Sequence, residues 1–216
     1  MPHDQAITAA LAGLYPTETR TFFSATPQSM TELWPEEFEF TSGMVDKRRA
    51  EFTHGRYCAR SAMKMLGVES APIRKGPNRE PVWPKGIIGS ISHTEQAAAA
   101  VVAKSTDLLG LGLDMEESSP LAAELIAMIC LPQENREQDG ARAKLLFSIK
   151  EAIYKCLYPL VNEYVDFLEM EVSLDEQALT YIAQPHAKRL DRELVGRIRG
   201  RYLCHSQYII SSAWIS

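Results

Sequence analysis

The sequence predicts an α+β fold, in which helical and strand patterns are grouped along the chain rather than strictly alternating. Three observations carry this prediction. Apolar residues recur with helical period over 45–66 and 141–158. Short strand-like runs cluster between those stretches and again towards the C-terminus. The chain of 216 residues, 45% apolar and 24% charged, has an ordinary globular composition and can bury a core without disulfide or metal staples.

Taken in order, residues 5–14 read as a short helix, followed by a mixed stretch to Glu36. Pro35-Glu36-Glu37-Phe38 reads as a helix start or turn, because proline suits a first turn. Val45 to Leu66 is helical, with Gly67 as its stop. SAPIRKGPNREPVWPKG reads as an extended loop, since each proline fixes φ and removes a donor. IIGSISHT and AAAAVVAK flank a Glu-Gln turn and predict a hairpin, and LLGLGLDMEE predicts a third strand. A helix is expected from Ser119 to about Ile129, capped by Ser118 or Ser119 before Pro120. After the helix at 141–158, FLEMEVSL, ALTYIAQ and YLCHSQYIISSAWIS read as strands. A break near Ser105-Thr106-Asp107 divides the chain into 1–106 and 107–216.

Charge and cysteine usage exclude several function classes. A formal net charge of -5 does not favour non-specific binding to nucleic acid or to an anionic membrane. Any anion site must therefore come from a local basic cluster. Cys58, Cys130, Cys156 and Cys204 form no CxxC pair, so no zinc site is expected, and they read as buried thiols in a reducing compartment. The N-terminal stretch has no basic region before its apolar residues, and no run approaches the roughly 18 apolar residues of a membrane span. A cytoplasmic protein is expected.

Several short motifs can carry chemistry. On the LGLDMEE strand, Asp114 and Glu116 project from one face with Met115 turned away. Parallel carboxylates repel unless a cation or protons sit between them. A strand end in water would show the same pattern. In FSIKEAIYKC, Glu151 and Lys155 share a helix face, with Lys150 about 100° round the axis. That pair is equally an ordinary surface ion pair. A third carboxylate beside the first two would complete the hard-oxygen donor set that Mg²⁺ uses.

The helix KRRAEFTHGRYCAR gathers Lys47, Arg48, Arg49, Arg56 and Arg60. The spacing stacks Arg49 with Arg56 and puts Arg48 and Arg60 on the flanks, a cluster able to grip a phosphate. The loop RKGPNREP adds Arg74, Lys75 and Arg79. Ser92 and His93 end the SISHT strand, where neighbours face opposite ways, so they are not a catalytic pair, and His93 reads as a phosphate contact. LGLGLD fails as a dinucleotide fingerprint, because no third glycine follows and no helix opens there.

In order and spacing, RRAEFTHGRYCAR, REPVWPKGIIGSISH, GLDMEE and FSIKEAIYK resemble the larger, monomeric 4′-phosphopantetheinyl transferases, which activate siderophore, surfactin and polyketide synthases. The resemblance covers about residues 44–160. It implies two similar α/β halves in pseudo-twofold arrangement with coenzyme A between them. It implies Mg²⁺-dependent transfer of phosphopantetheine from coenzyme A to a serine of an apo acyl, peptidyl or aryl carrier protein, with Mn²⁺ as a second possible metal.

Carried over by position, Asp114, Glu116 and Glu151 are the expected metal ligands. Glu151, Lys155 and His93 are the expected catalytic groups. Arg48, Arg56, Arg74, Lys75, Ser92, His93, Lys150 and Lys155 are the expected coenzyme A contacts. Carrier docking is expected at Leu121, Leu125, Ile126 and Ile129 or along Tyr158–Tyr164. A different Mg²⁺-dependent enzyme cutting a nucleotide pyrophosphate, or a non-catalytic coenzyme A-binding module, would use part of the same set.

Overall fold

The computed structural model describes residues 2–26, 29, 32–205 and 207–216. It is a mixed helix and strand structure, as the sequence predicts. Helix α1 (Pro2–Ala12) leads into strand β1 (Arg20–Ser24), an element hidden in the mixed stretch. The short helix α2 (Pro35–Phe38) precedes helix α3 (Asp46–Met65). Helix α3 ends as its sequence prescribes. Gly67 takes φ +77, and the Val68 and Gly67 amides donate to the Met63 and Lys64 carbonyls at 3.0 and 3.1 Å. This is the glycine-dependent closure of a helix end.

The segment read as an extended loop contains a two-stranded ribbon, β2 (Arg74–Lys75) and β3 (Pro81–Val82). Strands β4 (Ile87–His93) and β5 (Ala98–Lys104) form the expected hairpin. Strand β6 (Gly110–Glu117) follows. Helix α4 (Ala123–Ile129) starts later than expected, with Ala122 at its N-cap and no side-chain cap from Ser118 or Ser119. Helix α5 (Gly140–Val161) is capped by Asp139, which accepts from the Ala141 amide, and ends at Asn162 in left-handed backbone.

Strands β7 (Met170–Asp175) and β8 (Thr180–Pro185) pair with each other. A short helix α6 (Arg192–Gly196), absent from the sequence reading, precedes β9 (Tyr202–His205) and β10 (Tyr208–Ile215). The last apolar stretch is therefore two antiparallel strands, not one.

Two three-stranded antiparallel sheets organise the chain, in the orders β1-β5-β4 and β6-β10-β9. The run AAAAVVAK is apolar throughout because β5 is covered on both faces. Ala98, Ala100 and Val102 meet Cys58, Ala59, Ala62 and Met63 of α3. Ala97, Ala99, Val101 and Ala103 turn the other way, towards Ile7 and Leu11 of α1 and Leu113 and Met115 of β6. That second cluster draws on both sheets. A third core packs α5 against the second sheet and β7–β8.

The sheets meet at β4 and β6 without a backbone ladder. Two serine side chains make the joint instead. Ser90 Oγ accepts from the Leu113 amide at 3.0 Å, and Ser92 Oγ accepts from the Met115 amide at 3.0 Å. The two serines lie on one face of β4, two residues apart. On the other face of β6, Gly110 and Gly112 let α5 lie against the strand. A Cβ on Gly112 would stand 1.8 Å from the Ala152 carbonyl oxygen. The glycines of LGLGLD therefore serve close helix–strand packing.

All four cysteines are free thiols. Cys58, Cys130 and Cys156 are buried as expected, but Cys204 is exposed on β9, where alternation turns it outward. No helix among the described residues is long and apolar enough to cross a membrane.

A cleft joining a carboxylate cluster to an arginine-lined pocket

A cleft of about 710 Å³ opens where the two sheets meet, lined by Arg48, Arg56, Ser92, His93, Asp114, Glu116, Glu151 and Lys155 among others. Strand β6 delivers Asp114 and Glu116 to one side, as the period of two predicts. Helix α5 delivers Glu151 and Lys155 because Gly112 admits it so closely.

Asp114 is only 3% exposed. Its Oδ1 accepts from Lys155 Nζ at 2.7 Å and from Ser92 Oγ at 3.1 Å. Its Oδ2 is buried with no hydrogen-bond partner. Lys155 also donates to Ser92 Oγ at 3.3 Å, so its amine turns to the strand carboxylate rather than to Glu151. Glu116 is held by Lys144, whose Nζ lies 2.5 Å from Oε2. Burial, followed by the charge of Asp114, raises the Glu116 pKa. Burial likewise raises that of Glu151, with Asp114 and Glu116 adding and Lys155 opposing. The carboxylates thus feel one another across the cleft. Among the described residues no group of three or more His, Cys, Asp or Glu side chains is placed so that it could hold a metal ion, and Lys155 and Lys144 stand on two of these acids.

The other end of the cleft is basic. A cavity of about 200 Å³ is lined by Arg48, Arg56, Lys75, Arg79 and His93, with Glu51 as its carboxylate. Arg56 is 7% exposed, lies 4.1 Å over the Phe52 ring and donates from Nε to the Ile73 carbonyl at 3.2 Å. Its buried Nη2 has no partner. Burial lowers its pKa to about 10, against the raising effect of Glu37. The guanidinium still carries its charge at neutral pH. Arg48 Nη1 lies 3.2 Å from His93 Nε2. A guanidinium can only donate, so Nε2 accepts and the imidazole proton sits on Nδ1, 3.8 Å from Glu51 Oε2. Burial holds the His93 pKa down at about 4, with Glu51 opposing and Arg48 and Lys155 assisting. His93 is therefore neutral at pH 7.

Several sequence expectations change here. Arg49 does not join Arg56: it is drawn to Asp46 at 3.2 Å and to the Met44 carbonyl at 2.9 Å. Arg60 is a half-buried anchor for the buried Glu37, at 2.6 Å. Arg74 is exposed on β2 and lines neither cavity, whereas Lys75 lines the small one. Lys150 points away from the cleft. Its Nζ donates to Glu134 at 2.7 Å and to the Ile129 and Phe167 carbonyls at 2.9 Å each, tying α4 and the turn before β7 to α5. Ile126 and Ile129 are core residues, while Leu125 and Met128 are the exposed apolar residues of α4.

Sequence reasoning also missed contributors. Lys144 lies seven residues before Glu151, two turns along the same face of α5, and that spacing was a usable signal. Asn78 donates to the Tyr158 hydroxyl at 2.6 Å, pinning the ribbon loop to α5, and nothing local in the sequence announces it.

A carboxylate cluster at one end of the cleft thus faces a basic pocket at the other. Comparison with known proteins names the class. Residues 36–103 match the 4′-phosphopantetheinyl transferase N-terminal domain, and residues 110–210 match the 4′-phosphopantetheinyl transferase superfamily. The chain is 35% identical over 184 residues to 4′-phosphopantetheinyl transferase Svp of Streptomyces mobaraensis, covering 82% of this chain and 75% of that one. It is 35% identical over 155 residues to 4′-phosphopantetheinyl transferase PptT of Mycobacterium tuberculosis, covering 69% and 68%. Enterobactin synthase component D of Escherichia coli is 35% identical over 131 residues, covering 57% and 61%. The chain belongs to the 4′-phosphopantetheinyl transferases, in their larger form.

Proposed function

We propose that this enzyme transfers the 4′-phosphopantetheine group of coenzyme A to a serine of an apo acyl, peptidyl or aryl carrier protein, releasing adenosine 3′,5′-bisphosphate. The observation that carries this reading is the single cleft that holds Asp114, Glu116, Glu151 and Lys155 at one end and continues to Arg48 and Arg56 at the other. Coenzyme A has two anionic groups, a pyrophosphate and a 3′-phosphate, and the cleft offers a place for each.

The family acts with a divalent metal; with Lys155 and Lys144 on two of them the three acids are not arranged as a ligand set, but their donor chemistry suits a hard cation. The unpartnered Asp114 Oδ2 is a hard oxygen donor already stripped of water, and Glu116 and Glu151 are carboxylates whose pKa is raised by burial and then by the charge of Asp114. We assign the three acids to Mg²⁺, with Mn²⁺ as the alternative ion. When bound, the metal supplies electrostatic stabilisation of charge on the reacting oxygens. Arg48 and Arg56 grip the 3′-phosphate and so fix the reacting phosphorus in place. Lys155 stands beside the pyrophosphate. Neutral His93, aligned by Arg48, contacts the phosphate by hydrogen bonding rather than as an acid. Glu151, first a metal ligand, is also the candidate acceptor of the carrier serine's proton, and its raised pKa suits that role.

We further propose two similar halves, 1–106 and 107–216, in pseudo-twofold relation. Support comes from the separate matches over 36–103 and 110–210. It also comes from a recurring plan, a long helix over a three-stranded antiparallel sheet in each part. We place the protein in the cytoplasm as a monomer, with carrier docking near Leu125, Met128 and Tyr164.

The test is mass-spectrometric loading of an apo carrier protein with coenzyme A and Mg²⁺. Hydrolysis of coenzyme A without carrier modification would favour a nucleotide pyrophosphatase instead. Binding without turnover would favour a coenzyme A-binding module. Arg56→Ala is expected to weaken coenzyme A by roughly tenfold or more while affecting 3′-dephospho-coenzyme A little, as for loss of a charge-assisted hydrogen bond. Equal losses for both ligands, measured by titration calorimetry, would remove Arg56 from the 3′-phosphate.

A further inference from the structure

The ribbon β2–β3 closes through a five-residue loop, Gly76 to Glu80, whose shape is set from within. The Gly76 amide donates to the Glu80 carbonyl at 2.8 Å, and the Asn78 amide donates to Glu80 Oε2 at 2.9 Å. The Glu80 carboxylate fills the space under Gly76, where a Cβ would stand 2.1 Å from Oε1. From outside, the Asn78 amide group holds the loop onto Tyr158 of α5. A loop fixed at both levels presents its remaining side chain in a defined place.

That side chain is Arg79. Its backbone has φ +72, a left-handed conformation that favours glycine and is unfavourable for a long side chain. Its side chain gives the fold nothing in return: Arg79 has no hydrogen bond or ion pair from its guanidinium among the described residues. The residue lines both the large cleft and the small basic cavity, at their junction. In the small cavity it joins Arg48, Arg56 and Lys75 against the single carboxylate of Glu51, and the buried Arg56 Nη2 is unpartnered. Four cations surround about 200 Å³, with Arg48 and Arg79 exposed at its rim, Arg48 paired with Glu51 and the buried Arg56 keeping an unused donor, an arrangement able to receive a dianion.

We infer that Arg79 is a further arm of the 3′-phosphate clamp, held over the mouth of the basic cavity by its strained backbone and by the Asn78–Tyr158 bond. This rests on the coenzyme A reading above. On this reading Arg79 and Lys75 are the basic residues of the RKGPNREP loop that meet the ligand, with Arg74 exposed on β2 and lining neither cavity. Backbone strain at a position that glycine would fill without cost is consistent with a side chain kept for binding.

The test uses Arg79→Gly in the full chain, since glycine accepts the positive φ and removes only the side chain. Titration calorimetry with coenzyme A is expected to show a loss of affinity of roughly fivefold to tenfold, with 3′-dephospho-coenzyme A changed less than twofold. Arg79→Lys is expected to fall between the two, because it keeps the charge and loses the fork. The unfolding midpoint of Arg79→Gly should equal or exceed that of the parent. Unchanged affinity for coenzyme A, equal losses for both ligands, or a clearly lowered midpoint would each overturn the assignment. If the parent protein binds coenzyme A normally, such a result removes Arg79 alone. A parent protein that binds no coenzyme A would overturn the functional reading as well.

Discussion

Asp114→Ala is expected to lower carrier loading by about 10²-fold or more while leaving a folded protein, a loss typical of removing one group that stabilises transition-state charge. The argument begins with burial. Asp114 is 3% exposed and keeps one oxygen without a partner, an arrangement that costs stability unless another group engages it. Its other oxygen holds Lys155 and Ser92. Truncation therefore removes the metal ligand we propose and frees Lys155, which we place beside the pyrophosphate. The fold should survive, because the Ser92–Met115 bond remains and Lys155, 27% exposed at its side chain, can reach water. Asp114→Asn separates the effects. It keeps an acceptor for Ser92 but not the charge, and should be nearly as inactive as alanine. Near-normal loading by either variant would refute the metal assignment.

Gly112→Ala carries the largest expected effect on stability. The added Cβ would stand 1.8 Å from the Ala152 carbonyl oxygen and 2.9 Å from the Cys156 amide nitrogen. Both obstacles are backbone of a long helix, which cannot step aside as a side-chain tip can. Helix α5 must shift off β6, opening the core that Leu146, Ile149 and Ile153 share with Ala213 and Ile215. Overpacking of this kind costs about 3 kcal/mol. For a chain of this size that lowers the thermal midpoint by roughly 6–12 °C. Loading should fall too, since Glu151 and Lys155 ride on the displaced helix. Gly196→Ala is the control, because nothing lies within 4 Å of its added Cβ. Equal midpoints for the two alanine variants would show that α5 does not depend on the glycine.

Much of the site was legible because its parts obey simple periods. Asp114 and Glu116 share a strand face, and Glu151 and Lys155 share a helix face, so local geometry placed them before any fold was known. What failed depended on tertiary direction. Lys150 sits one residue before Glu151, and a helical wheel says only that it faces another way. That it meets Glu134, from a polar stretch with no pattern of its own, is a property of the fold. The arginines of α3 divided for the same reason: Glu37 claims Arg60 and Asp46 claims Arg49, leaving Arg48 and Arg56 for the cavity. Strand β1 was missed because RTFFS is short and lies in a stretch without clear alternation. Helix α6 was missed because five residues hold too little period to read. The glycines of LGLGLD lack the spacing of a dinucleotide fingerprint, and their use in packing against α5 needed the position of that helix.

The joint between the two sheets has a consequence for motion. Strand β6 ends one sheet, and its outward amides at Leu113 and Met115 are taken by Ser90 and Ser92 rather than by a neighbouring strand. Those two protons are guarded by side chains alone, while the opposite edge of β6 is laddered to β10. Parting of the sheets would release them first and leave the ladder intact. Hydrogen–deuterium exchange at Leu113 and Met115 thus gauges how often the cleft's walls separate, and coenzyme A spanning both walls should slow it at these two amides more than along β10.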